Sequence, residues 1–164
     1  FLTRDLLLAK NFSDALSVLK NAHRTCAFHL GIGGHADNQF RGAMVDHTQC
    51  IIVDDTTVTP YPEHPIFDGI VYWDKYSQPT HSYCFRDLFT AHYGDFTAEL
   101  LATNFAGWAT TGDLHAAIFD YAHRKAFFSN ARKSYETTGS LYAYHRQFTE
   151  LDMQALFNEA APSS

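Results

Sequence analysis

The sequence is poor in the residue patterns that announce the commonest machineries. Its three cysteines, Cys26, Cys50 and Cys84, show no CxxC spacing, so neither a zinc ribbon nor a redox dithiol is written in the chain. Twelve Lys and Arg stand against eighteen Asp and Glu, a formal charge of −6, and the cations never cluster. The positive footprint that tracks a phosphate backbone is therefore missing, and nucleic acid is not an expected partner. No apolar run approaches the ~20 residues a membrane-spanning helix needs. There is no Gly-x-Ser-x-Gly elbow. The glycines of Gly31-Ile32-Gly33-Gly34 lack the further residues and the following helix of a phosphate-cradling loop, and read instead as a close backbone approach or a bulge. Internal repeats and low-complexity tracts are absent.

Apolar rings are plentiful. With 46% hydrophobic and 15% aromatic residues, including fourteen Phe and nine Tyr, and only 18% charged residues, the chain would collapse rather than stay disordered. Its 164 residues supply one core and not two, so a single unit over residues 1–164 is expected. Ten His, unperturbed near pH 6.5, would swing the net charge positive between about pH 7 and pH 5, which fits an acidic compartment. The chain begins at Phe1 with no signal peptide, which predicts a piece processed or truncated upstream. An odd cysteine count leaves one thiol free or paired with an outside segment, and Cys26 and Cys50, in apolar strand-like runs, are expected to be buried.

Apolar spacing predicts a helix over residues 1–20, or two short helices broken near Asn11 with Ser13 as the cap. A strand over 25–34 follows, then a hairpin of 41–46 and 50–54 turning at His47-Thr48-Gln49. Pro60, Pro62 and Pro65 make 55–68 a loop, and residues 69–73 form a short apolar strand running into a polar loop that Pro79 stops. Ser82 caps a helix over 83–93 ended by Gly94, and Thr97 caps a second helix through Phe105, ended by Gly107. Residues 141–148 read as a last strand, and Thr149-Glu150-Leu151-Asp152 as a capping box that opens a helix to Ala160. Strands joined mainly by hairpins and mixed with helices give an α+β class, antiparallel sheets layered with helices.

The organising stretch is residues 111–132. Residues 114–121 are β-branched, aromatic or small, and the pattern resumes after a polar break at 122–125, a strand, a turn and a returning strand. Its open end gathers Asp113 and His115 from one strand with Asn130 and Arg132 from the other. That is either a solvated sheet end or the wall of a site. Asp113 with His115, and His35 with Asp37, supply two metal ligands each, too few for a metal centre, and no cofactor is called for. Asp74 and Lys75, beside Tyr72 and Trp73, are either an exposed ion pair or charges strengthened by rings that exclude water.

Several blocks resemble the N-terminal-nucleophile hydrolases. Phe1-Leu2-Thr3-Arg4-Asp5-Leu6-Leu7, the helix after it and Phe28-His29-Leu30-Gly31-Ile32-Gly33-Gly34 are similar to the stretch downstream of the nucleophile in acid ceramidase and N-acylethanolamine acid amidase. Residues 70–93 and 111–132 resemble the wider group that includes isopenicillin N acyltransferase, and Tyr72-Trp73-Asp74-Lys75-Tyr76-Ser77-Gln78-Pro79 is similar to the phospholipase B-like proteins. The resemblance implies an αββα sandwich. It also implies an N-terminal Cys exposed by autoproteolysis, whose own α-amino group serves as its base, and an Asn after a strand that helps to bind the oxyanion. That strand would be residues 69–73, and Asp74 occupies the Asn position, where a carboxylate would repel an oxyanion unless protonated.

Phe1 is not the nucleophile. The resemblance therefore makes this chain the later portion of an amide hydrolase or acyltransferase, an incomplete domain completed by an upstream nucleophile-bearing fragment of the same precursor. Asp74, Asp113, His115 and Arg132 are the candidate catalytic residues. Tyr72, Trp73 and Trp108 would line a pocket for a small or lipid-like acyl substrate, unless these rings are ordinary core. A lysosomal, endosomal or secreted location is expected. The competing expectations are a catalytically inactive structural or interaction module of the same fold, and an unrelated binding domain.

Overall fold

The computed structural model describes residues 2–36, 38–60, 65–72, 83–108 and 112–160, with the side chains of 83, 84 and 108 outside that description. It is α+β, with two three-stranded antiparallel sheets and flanking helices. The chain divides into two compact units, Phe1–Trp73 and Asp74–Ser164, taken in turn below.

The first unit is a helical hairpin against a meander. Helices α1 (Leu2–Leu7) and α2 (Phe12–Asn21) are separated by Asn11, whose Oδ1 accepts a hydrogen bond from Asp14 N at 2.8 Å. The break near Asn11 falls as expected, but Asn11 and not Ser13 is the cap. Strands β1 (Phe28–Gly34), β2 (Gln39–Val45) and β3 (Cys50–Val53) lie in that order. The register Phe28–Val45–Cys50 and Leu30–Ala43–Ile52 puts these residues on one face, against Phe12, Ala15 and the fully buried Leu19 of α2. Spacings of three and four residues along α2 make that stripe continuous.

Arg24 locks the arrangement. Its guanidinium donates to the carbonyls of Leu19 and Ala22 at the end of α2 and to those of Asp46 and Gln49 in the β2–β3 turn. A cation there also suits the negative end of the helix. Gly31 meets the predicted close approach without a bulge. It pairs in register with Gly42, and a Cβ there would lie 3.0 Å from the Phe40 ring. Cys26, expected to be buried, is exposed, because it precedes β1 instead of lying within it; Cys50 is half-buried, and both are free thiols.

The predicted strand at 69–73 is not formed in its described part. Ile70 bridges only back to Phe67, across a tight turn in which Gly69 has φ +71° and donates to Asp55 Oδ2 at 2.6 Å. Residue 73 lies outside the described residues.

The described part of the second unit begins with α3 (Tyr83–His92), which stops before Gly94 at φ +89°. Thr97 caps the next helix, its Oγ1 accepting from Leu100 N at 3.1 Å, as expected. This helix, α4 (Ala98–Leu100), widens into a π-helix over Leu101–Trp108. Gly107 does not end it: the glycine lies within the helix, not at a left-handed stop. Phe85, Phe89, Phe96 and Phe105 form one ring cluster, the closest centroids 4.9 Å apart.

The predicted central hairpin is β4 (His115–Asp120) and β5 (Lys125–Asn130), with Arg124 at φ +55° in the turn. The third strand, β6 (Thr149–Asp152), pairs with β5 and occupies the stretch read as a capping box. The real cap is Asp152, whose Oδ1 accepts from Ala155 N, and it opens α5 (Met153–Asn158). The strand expected at 141–148 reduces to a Leu141–Arg132 bridge and a short 3-10 helix, Ala143–His145.

Candidate functional site

The open end of the β4–β5 hairpin brings together the residues expected there. His115 stands opposite Asn130 in the ladder, its Nδ1 2.7 Å from Asn130 Oδ1. With a carbonyl-type oxygen as acceptor, Nδ1 carries the hydrogen, so the neutral ring presents the Nε2 lone pair outward. The ladder continues one step further through Ala131 N to the Leu114 carbonyl at 2.8 Å.

Asp113 and Arg132 flank this pair in different ways. The Asp113 backbone carbonyl accepts from Ala143 N at 2.9 Å, while its carboxylate stays at the exposed surface. Arg132 turns its guanidinium away from the imidazole. Its Nε donates to the Gly139 carbonyl at 2.7 Å and its Nη2 to the Thr138 carbonyl at 3.2 Å, which closes the loop of residues 133–140. That cation is structural in this arrangement.

Two contributors had no sequence signal. Arg146 reaches from beyond the 3-10 helix and donates from Nη1 to the Asn130 carbonyl at 2.6 Å. Ser129, 3% exposed, donates its hydroxyl to the Ala143 carbonyl at 2.7 Å and fastens the 3-10 helix to the sheet. At that helix the Tyr142 and Tyr144 rings stack with centroids 5.3 Å apart, and His145 meets Tyr144 edge to face at 4.5 Å. The mouth thus joins an exposed imidazole, a carboxylate, a guanidinium and an aromatic platform, and water reaches all of it.

The other candidates fall elsewhere. Tyr72 is buried in the first unit, its ring beside Phe67 and its hydroxyl donating to the Pro65 carbonyl at 3.1 Å. Trp73 and Asp74, like Asp37, lie outside the described residues, as does the side chain of Trp108, whose backbone ends the π-helix. Among the described residues no group of three His, Cys, Asp or Glu is placed to hold a metal, and no helix is long and apolar enough to cross a membrane.

The turn end of the same hairpin holds a second polar group. Asp120 Oδ2 lies 2.7 Å from His123 Nδ1, and that contact, with the His123 backbone N–H, holds the Asp120 carboxyl below its ordinary value. Lys125 pairs with Glu150 across β5 and β6, which raises the lysine. These are surface pairs that solvent and salt screen, so they contribute little to stability.

Each sheet has one face against helical segments and leaves apolar side chains on the other. In the first unit that second face carries Phe40, Met44 and Ile51, with Phe40 and Ile51 each 43% exposed. In the second it carries Phe128 and the half-exposed Phe119, their rings edge to face at 5.6 Å.

Among known proteins, the chain is similar to Protein dcd1B of Dictyostelium discoideum, 34% identical over 175 residues, which covers 99% of this chain and 35% of that protein. It is also similar to Protein dcd1A of the same organism, 29% identical over 172 residues, or 97% of this chain and 38% of that protein. The chain therefore spans about a third of the length of the curated relatives it matches. No family model matches it, and no solved structure does.

Proposed function

We propose that this chain is the later portion of an N-terminal-nucleophile amide hydrolase or acyltransferase acting on N-acyl, including fatty-acyl, substrates. The observation that carries the reading is the pair of helix-backed antiparallel sheets, each with an apolar second face, the ingredients of an αββα sandwich. The relatives' greater length leaves room for an upstream segment that supplies the Cys. In such a reaction the thiol sulfur attacks the amide carbonyl and its proton passes to the α-amine. The amine product leaves with that proton, and water then cleaves the thioester. On this chain His115 offers Nε2 and Asp113 a carboxylate at the hairpin mouth, while Arg132 and Arg146 hold that mouth in shape. The ten histidines suit work in a lysosomal, endosomal or secreted setting.

The test uses the longest natural polypeptide that carries these residues, incubated with N-acyl amides of short and long acyl chain. The expected result is acid release that is abolished by alkylating a Cys at a newly formed N-terminus. His115→Ala should lower kcat/KM roughly tenfold or more, the scale of a lost proton-transfer or positioning group. Release that survives alkylation would overturn the assignment. Asp74 at the expected Asn position favours a second reading, an inactive module of the same fold. That reading predicts no acid release, and restoration of none by Asp74→Asn.

A further inference from the structure

Strand β1 is a sheet margin unlike those at β3 and β6. It is seven residues long, Phe28–Gly34, with no Lys, Arg, Asp, Glu or Pro, and three of its residues are glycine. Sheet order β1-β2-β3 gives it a neighbour on one side only among the described residues. Proteins blunt such margins with charge, proline or brevity, because a long flat uncharged edge is a template for another strand. The margin at β6 follows that rule, being four residues with Glu150 and Asp152 among them. The margin at β3 is also four residues and runs straight into Asp54 and Asp55. At the Phe28 end of the sheet, by the β2–β3 turn, lies a groove of about 450 Å3 lined by Phe28, His29, Met44, Asp46 and Ile51 among others.

We propose that the outer edge of β1 receives an extended strand from a part of the same polypeptide outside these 164 residues, whose alternate apolar side chains border that groove. An edge of this kind selects extended backbone, since its outward amides and carbonyls bond a strand and nothing else so completely. The occupant is taken from the same polypeptide because the relatives are nearly three times as long as the stretch they share with this chain. The inference deepens the reading above by assigning a docking place to the missing segment, and it rests on that reading for the segment's existence.

Amide hydrogen exchange across Leu30–Gly34 tests it, compared between the 164-residue chain and the longest natural polypeptide containing it, with α2 as the internal standard. Every second amide should exchange freely in the short chain and slow by roughly a hundredfold or more in the long one. Equal rates in both would overturn the proposal, as would a gene that encodes nothing beyond these residues. Protection in the short chain that fades on dilution would assign the edge to a second copy instead, and would equally overturn it. Amidase activity of the same preparation is scored apart. Protection without activity removes the enzymatic reading and leaves the strand, whereas activity without protection does the reverse.

Discussion

The two units fill the same α+β plan with different materials. In the first, branched aliphatic side chains from helix and sheet interdigitate, with Leu19 fully buried against Ala43, Val45 and Ile32. In the second, bulk is concentrated in the helical layer as four phenylalanine rings. On the face toward the 3-10 helix the sheet contributes the small residues Ala116 and Ser129, where Ala143 of that helix is fully buried. Small residues let backbone approach backbone, so the second unit depends on hydrogen bonds at positions where the first depends on packed methyl groups. That contrast explains why polar anchoring collects at the β4–β5 mouth.

The strongest way to break the contrast is to remove one side chain from each core. Phe89 touches three other rings of its cluster, so Phe89→Ala should destabilise the second unit by roughly 3–5 kcal/mol, and Leu19→Ala the first by roughly 2–5 kcal/mol. Urea unfolding followed by residue-resolved amide exchange tells the units apart. Loss of protection confined to the mutated unit would sharpen the comparison. Uniform loss in both would show a single cooperative body and remove the distinction.

A subtler change probes the hydrogen-bonded side. Ser129→Ala deletes the hydroxyl that fastens the 3-10 helix, yet the Ala143 carbonyl keeps a second donor, Arg146 N at 3.0 Å. The buried acceptor is thus not orphaned, and the cost should be about 1 kcal/mol, not the 1–3 kcal/mol of an unsatisfied buried group. Thermal unfolding gives the number, and a loss well above that range would mean that the hydroxyl organises more than this one contact.

What was legible in the sequence was what short-range chemistry decides. Gly94 stops α3 because its backbone is left-handed, Thr97 caps by its own hydroxyl, and the β4–β5 hairpin follows from alternation on both sides of a polar turn. Once that hairpin is placed, register alone puts Asp113, His115, Asn130 and Arg132 at one end. The rest was decided at longer range. Thr149 to Asp152 carries a helix-start signature, but pairing with β5 draws it into a strand and moves the cap to Asp152. Gly107 has the composition of a stop and the surroundings of a helix interior. The direction of Arg132 depends on carbonyls of the 133–140 loop, and Arg146 reaches Asn130 across sixteen positions, neither of which any local pattern encodes.

The smallest expected effect concerns acid, and it too separates the units. In the first, Asp54 accepts from the hydroxyls of Thr56 and Thr57 at 2.7 and 2.9 Å and from both of their backbone N–H groups, with Arg41 nearby. Those bonds, the hydroxyls foremost, hold its carboxyl down to about 2 from an ordinary 3.8. In the second unit Asp120 is held down by an imidazole, His123. A carboxyl depressed on folding stabilises the folded form wherever it is ionised in both states. The Asp54 contribution is therefore complete above about pH 4 and is lost as pH falls toward about 2. The exposed loop keeps the effect small. Carboxyl-carbon NMR should place the Asp54 midpoint near 2, and Asp54→Asn should flatten the acid limb of first-unit stability between those limits while leaving the second unit unchanged. A midpoint at the ordinary 3.8 would mean that the threonine hydroxyls do not hold the carboxylate in solution, and the acid response would then no longer distinguish the two halves.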